Sequence, residues 1–284
     1  MRLLTGKEVA QSVYEEIAQI MKQNPQISPT LAVVLVGDDP ASVSYVEGKK
    51  KACVRLGFGH RDYHLPSTTD MQTLLELIHE LNGDPHVHGI LVQSPLPEGL
   101  DEQIVTEAIS PKKDVDGFHP VNVGKTLLGL PSFVSCTPYG VLKMLDYYHI
   151  GCAGKHVVIM GRSHLVGKPL ASLLMQKGRD ATVTVCHSRT ADLEEITKTA
   201  DILMVAIGRP CFVTSSMVKE GAVVIDIGIN RVDDATQKKG YRLVGDVDFD
   251  EVAPKCSAIT PVPGGVGVMT IAMLMRNTLQ AALQ

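Results

Sequence analysis

Tyr45 and Lys49 stand four residues apart in SVSYVEGKKK, so on a helix both side chains reach the same side. A phenol beside an amine can move protons if neighbours hold the lysine near neutrality. On spacing alone a half-buried tyrosine with a surface lysine is equally open, and the run Lys49, Lys50, Lys51 reads as solvated at its last two members. Gln93 follows the apolar run GILV, at a carboxyl edge where open α/β sheets bind ligands. Asp116 lies in DVDG; its carboxylate could orient a donor face, or serve as a turn aspartate before Gly117.

A second set of residues suits phosphate. In KHVVIMGRSHLVGKPLASLLMQKG, residues 156–160 read as a buried strand, Gly161 permits a sharp turn, and Gly167 with Pro169 opens an apolar helix. Gly161, Arg162 and Ser163 thus face a helix N-terminus, where unpaired N–H groups and the helix dipole favour a pyrophosphate. The spacing is not G-x-G-x-x-G. The next strand, ATVTVC, ends in His187, Ser188, Arg189 and Thr190, where NAD enzymes place a carboxylate for the ribose hydroxyls. Guanidinium and hydroxyl donors in its place lean to NADP over NAD, although Asp192 is close by.

The elements that must position these groups alternate. Thr5 and Glu8 form a capping box ahead of Val9, Val13, Ile17, Ile20 and Met21 at helical spacing. Strands are expected at 31–36, 62–65 and 87–92, with helices opened by Asp39 and Pro40, over 70–81 and over 101–109. The loop SPKKDVDGFHP follows, and Thr137 and Pro138 cap a connecting helix. Strands at His156, Thr182, Ile202 and Val223 then form a Rossmann-like unit, and a last helix covers 269–283. This is an α/β chain of two α/β domains, N-terminal catalytic and C-terminal dinucleotide-binding.

Composition narrows the classes. The chain has 284 residues, 44% hydrophobic and 20% charged, with a net charge of −4, which argues against a nucleic-acid surface. No apolar stretch is long enough for a membrane span, and MRLLTGKEVAQ lacks a signal-peptide core, so a cytoplasmic protein is expected. Six scattered cysteines indicate neither disulfides nor zinc, and His86 and His88 lack a third ligand, so no metal is expected.

The segments SVSYVEGKKKAC, GILVQSPLP, KDVDGFHPVNVGK, CTPYGV, GRSHLVGKPL, TVTVCHSRT, GAVVIDIGIN, GDV and PVPGGVG with MT together resemble the bifunctional methylenetetrahydrofolate dehydrogenase/methenyltetrahydrofolate cyclohydrolase family, end to end. The resemblance implies a folate-binding catalytic domain over residues 1–138, with helix 268–284 packing back on it, and an NADP-binding domain over 139–267. It implies Lys49 as the catalytic lysine, Tyr45 beside the pterin, Gln93 bonded to the lysine and Asp116 on the pterin ring. Gly161, Arg162 and Ser163 become the phosphate turn, Ser188 meets the ribose phosphate and Ile229 lines the nicotinamide pocket. Pro261, Gly264 and Gly265 fall on the substrate side. Tetrahydrofolate derivatives as substrates, NADP as cofactor and a homodimer follow. One departure stands at Val268, where the family has proline. Rivals are a related two-domain dehydrogenase acting on a small acid such as shikimate, which would want a carboxylate site, and a non-catalytic nucleotide-binding module.

Overall fold

The computed structural model describes residues 1–237 and 240–284. In chain order the elements begin with β1 (Arg2–Leu3), α1 (Gly6–Gln23), β2 (Thr30–Val36), α2 (Pro40–Leu56), β3 (Gly59–Leu65), α3 (Met71–Gly83), β4 (Gly89–Val92) and α4 (Glu102–Ala108). They continue through α5 (Pro120–Leu127), α6 (Cys136–Tyr147), β5 (His156–Met160), α7 (Gly167–Leu174), β6 (Thr182–Cys186), α8 (Leu193–Thr197) and β7 (Ile202–Val205). The last are β8 (Val223–Asp226), β9 (Asn230–Asp233), β10 (Tyr241–Val244), α9 (Phe249–Val252), β11 (Ala258–Ile259) and α10 (Gly267–Ala282).

Two compact units result: Ser12–Cys136 with Ile271–Gln284, and Met1–Gln11 with Thr137–Thr270. At the N-terminus this grouping differs from the expected boundary. Residues 1–11 belong with the dinucleotide-type unit because β1 pairs in parallel with β11, Arg2 opposite Ala258 and Leu3 opposite Ile259. Two residues at a sheet edge carry too little periodicity to read as a strand.

In the first unit β2 lies between β3 and β4, all parallel. Its run TLAVVLV is buried from Leu31 onward, as a strand covered on both faces requires. Ala32, Val34 and Val36 pack with Leu74 and Ile78 of α3 and with Val105 of α4. Helix α2 starts where Asp39 accepts from Ser42 N at 2.8 Å with Pro40 behind it, and stops at Gly57 in the left-handed region, φ 70°. Helix α10 is tied to the same unit by Asn277, whose amide donates to Val115 O (2.8 Å) and Val134 O (3.0 Å).

In the second unit the six-stranded sheet runs β1-β11-β8-β7-β5-β6, with every pairing parallel. Val158, Met160, Leu203, Val205 and Val224 form its core with Ala200, Met217 and Val252. Strand β5 has β6 on one side and β7 on the other, so connections leave it in opposite directions and open a crevice at the carboxyl ends. A helix and a hairpin are among the elements that were not expected. Helix α5 sits in the Gly- and Pro-bearing stretch after DVDG and is started by His119, whose ring accepts from Val121 N. The antiparallel hairpin β9–β10 is too polar to show an apolar period.

Candidate active site and dinucleotide cavity

Three of the predicted residues of the first unit meet at one place. Lys49 sits on α2 with 8% of its surface exposed, and its Nζ donates to Gln93 Oε1 at 2.7 Å. Gln93 is fixed in turn: its backbone N donates to Val34 O, and its side-chain amide donates to Ser94 O. Burial pushes the Lys49 ammonium below the usual lysine range, while the negative charge of Asp116 opposes the shift. The Asp116 carboxyl is raised by burial; Lys49 pulls it back and Asp114 pushes it up. Each charge therefore depends on the other. Tyr45, one turn before Lys49, is 48% exposed and offers its ring to solvent or a ligand. Lys50 pairs with Asp62 at 3.3 Å and Lys51 is exposed, which separates them from Lys49.

Asp114 was missed in the sequence. It is 2% exposed and accepts from Gly117 N, Phe118 N and His119 N, and from Asn122 Nδ2 at 2.8 Å. Its carboxylate thus folds the DVDG loop that presents Asp116. Gly117 has φ 75°, and a Cβ there would overlap the backbone of Val134 and Ser135. The repeat D-V-D was the available signal, since one aspartate must build the turn if the other is to face a ligand.

Neither His86 nor His88 behaves as a ligand pair: His88 Nδ1 accepts from Thr30 N at 3.2 Å, and His86 is exposed. Among the described residues no group of three or more His, Cys, Asp or Glu side chains is placed to hold a metal ion.

In the second unit Gly161, Arg162, Ser163 and Ser188 line one cavity of about 310 Å³, with His187, Leu193, Ala206, Ile207, Arg209 and Phe212. A Cβ on Gly161 would overlap Ala206 O, and one on Gly167 would overlap Gly161 O. Only glycine lets the turn lie this close to the end of β7. Ser163 orders the turn, its Oγ accepting from Val166 N at 3.1 Å. No carboxylate is among the lining residues, and Asp192 is exposed. Arg162 and Ser188 beside a glycine turn fit a dinucleotide carrying a ribose phosphate.

Ile229, Pro261, Gly264 and Gly265 line a second, smaller cavity of about 90 Å³ with Asp226 and Val268. Gly264 has φ 102° and its carbonyl accepts from Gly6 N at 2.8 Å. Val268 lies in the first turn of α10, where backbone N–H groups need no intrahelical acceptor.

Two buried aspartates hold the loops around these cavities. Asp246, fully buried, accepts from Ile207 N (2.7 Å), Gly208 N (3.0 Å), Arg209 N (2.8 Å) and Asn230 Nδ2 (2.8 Å). Asp226 accepts from Gly228 N, Asp246 N and Val247 N. Its carboxyl is nevertheless pushed up to about 7, first by burial and then by the charge of Asp246, with the N–H groups opposing. Cβ atoms on Gly228 and Gly245 would overlap the Asp246 and Asp226 carboxyls respectively, which accounts for glycine in GIN and GDV.

Residues 4–116 match the tetrahydrofolate dehydrogenase/cyclohydrolase catalytic domain, and residues 135–284 match the NAD(P)-binding domain of the same family. The bifunctional protein FolD of Chlorobium phaeobacteroides is 54% identical over 99% of this chain and 98% of its own. A crystal structure of the Campylobacter jejuni bifunctional enzyme FolD is 49% identical, with TM-score 0.93 over 100% of this chain and 99% of that one. The Trypanosoma brucei FolD, crystallised with NADP cofactor and inhibitor, is 37% identical, with TM-score 0.90 over 98% and 94%.

Proposed function

The chain belongs to the tetrahydrofolate dehydrogenase/cyclohydrolase family, and from that premise we propose which of its residues carry the two reactions. It oxidises 5,10-methylenetetrahydrofolate to the 5,10-methenyl form with NADP and hydrolyses that to 10-formyltetrahydrofolate, an interconversion of one-carbon folate metabolism. NADP, when bound, supplies the acceptor for the hydride that leaves the methylene carbon. Gly161, Arg162 and Ser163 hold its phosphates, Ser188 with Arg162 its ribose phosphate, and Ile229 its nicotinamide end. No proton leaves at this step, so the protein's contribution is positioning.

Hydrolysis does need a proton carrier. Water bonds to the methenyl carbon and gives one proton to Lys49; the same amine returns it to the nitrogen whose bond to that carbon breaks, and the hydroxyl proton is lost to solvent as the formyl C=O forms. The observation that supports this assignment is the buried Lys49 Nζ, held by Gln93 at 2.7 Å and lowered toward the neutral amine by burial. Asp116 orients the pterin by accepting from its aminopyrimidinone edge, and Tyr45 covers the ring. Pro261, Gly264 and Gly265 contact the substrate.

The reading includes a cytoplasmic homodimer, in keeping with water-borne anionic substrates and with the family resemblance; light scattering of purified protein tests the dimer. Purified protein mixed with methylenetetrahydrofolate and NADP should form NADPH and consume methenyltetrahydrofolate. Failure to reduce either dinucleotide would remove the reading.

A further inference from the structure

Arg209 is the second guanidinium of the dinucleotide cavity, and its position differs from that of Arg162. It follows β7, whereas Ser188 follows β6, and β5 runs between those strands. With strands about 4.8 Å apart, the two ends of the cavity lip are separated by about 10 Å, more than one phosphate spans. Arg209 therefore serves a different part of a ligand from the group at Ser188.

Its surroundings say which part. The guanidinium carbon lies 4.2 Å above the centre of the Phe212 ring, and no acidic side chain pairs with it among the described residues. A guanidinium resting on a ring presents its other face outward as a flat cationic surface. Leu193, Ile207 and Phe212, which pack against the core of this unit, supply apolar lining beside it. The backbone beneath is pinned: Asp246 takes the N–H groups of Ile207, Gly208 and Arg209, and Cys211 N donates to Gly245 O at 3.0 Å. A flat cation on a fixed turn beside apolar side chains is a platform for an uncharged aromatic base rather than a clamp for a phosphate.

We propose that Arg209 is an affinity-determining residue that stacks on the adenine of the dinucleotide and so binds NADP and NAD alike. This rests on the reading of the cavity as the cofactor site. Calorimetric dissociation constants for NADP, NAD and adenosine 5′-monophosphate test it without turnover. Arg209→Ala should weaken all three by about tenfold and leave the NADP-to-NAD ratio within about twofold. Arg209→Lys, which keeps the charge and loses the plane, should resemble Arg209→Ala. Arg209→Tyr, which keeps a plane and loses the charge, should stay close to the parent. Weakening confined to NADP and rescued by lysine would make Arg209 a phosphate ligand and overturn the proposal, as would unchanged affinities in Arg209→Ala. Arg162→Ala, measured alongside, should lose NADP affinity selectively. Parental NADP binding in that variant would overturn the cavity reading itself, and the proposal with it.

Discussion

Lys49 donates to Gln93 across 2.7 Å, and the Gln93 amide in turn donates to Ser94 O, so the amine is aimed by a side chain that is itself hydrogen-bonded. This links helix α2 to the end of β4 and puts a titratable group where water cannot fully solvate either form. The amine and the Asp116 carboxyl perturb one another in opposite senses.

Replacing that amine while keeping much of its volume separates the two reactions. Lys49→Met should abolish the cyclohydrolase and leave a slower dehydrogenase, so methenyltetrahydrofolate accumulates while NADPH forms. Absorbance of both species in one cuvette reads the outcome. Full hydrolysis by a folded variant would shift the proton carrier to Tyr45.

Cofactor choice is expected to follow Arg162. Its replacement by alanine should narrow the NADP-over-NAD preference in kcat/KM by about 1–3 kcal/mol, the size of a charge-assisted hydrogen bond. Equal use of both dinucleotides by the parent would contradict the assignment.

The two aspartates of DVDG should part company. Asp116→Ala is expected to weaken folate binding and both activities with little change in Tm. Asp114→Asn turns one oxygen into a donor facing backbone donors; it should cost about 1–3 kcal/mol of stability and lower Tm as well as folate affinity. Denaturant unfolding of both variants, beside folate calorimetry, distinguishes them.

Asp226 gives a pH dependence of defined sign. Its carboxyl titrates near 7 in the folded protein and near 3.8 in an unfolded chain. Between those values the folded state holds the extra proton, so this group makes stability fall as pH rises, by up to about 1.4 kcal/mol per unit, and adds no further loss above 7. Asp226→Asn should flatten that descent relative to the parent when unfolding is followed from pH 4 to 8. An unchanged slope would mean that the three N–H donors keep the carboxyl ionised.

Where pattern and period were strong, the sequence was legible. The apolar runs of β2 and β5 and the Asp39-Pro40 start of α2 are set by local rules, and Lys49, Gln93 and Arg162 followed from their places at strand ends and on one helix face. Asp114, Asp246 and Arg209 did not. Asp246 takes backbone N–H groups from residues 207–209, distant in sequence, Asp114 takes those of residues 117–119 within its own turn, and Arg209 rests on the Phe212 ring; no periodicity announces such meetings. The signal that remained was a polar residue embedded in an apolar stretch, as in GDV, where an unsatisfied carboxylate would be costly.

The pairing of Arg2 and Leu3 with Ala258 and Ile259 bears on how the protein comes off the ribosome. This strand must wait for partners made much later in the chain, and Asn277 is likewise made long after Val115 and Val134, to which it donates. Neither unit can be completed from one continuous stretch while translation is under way. Chaperone binding to nascent chains should therefore persist until α10 has emerged, and cutting the gene at the apparent domain border should yield two fragments that each lack a piece of themselves.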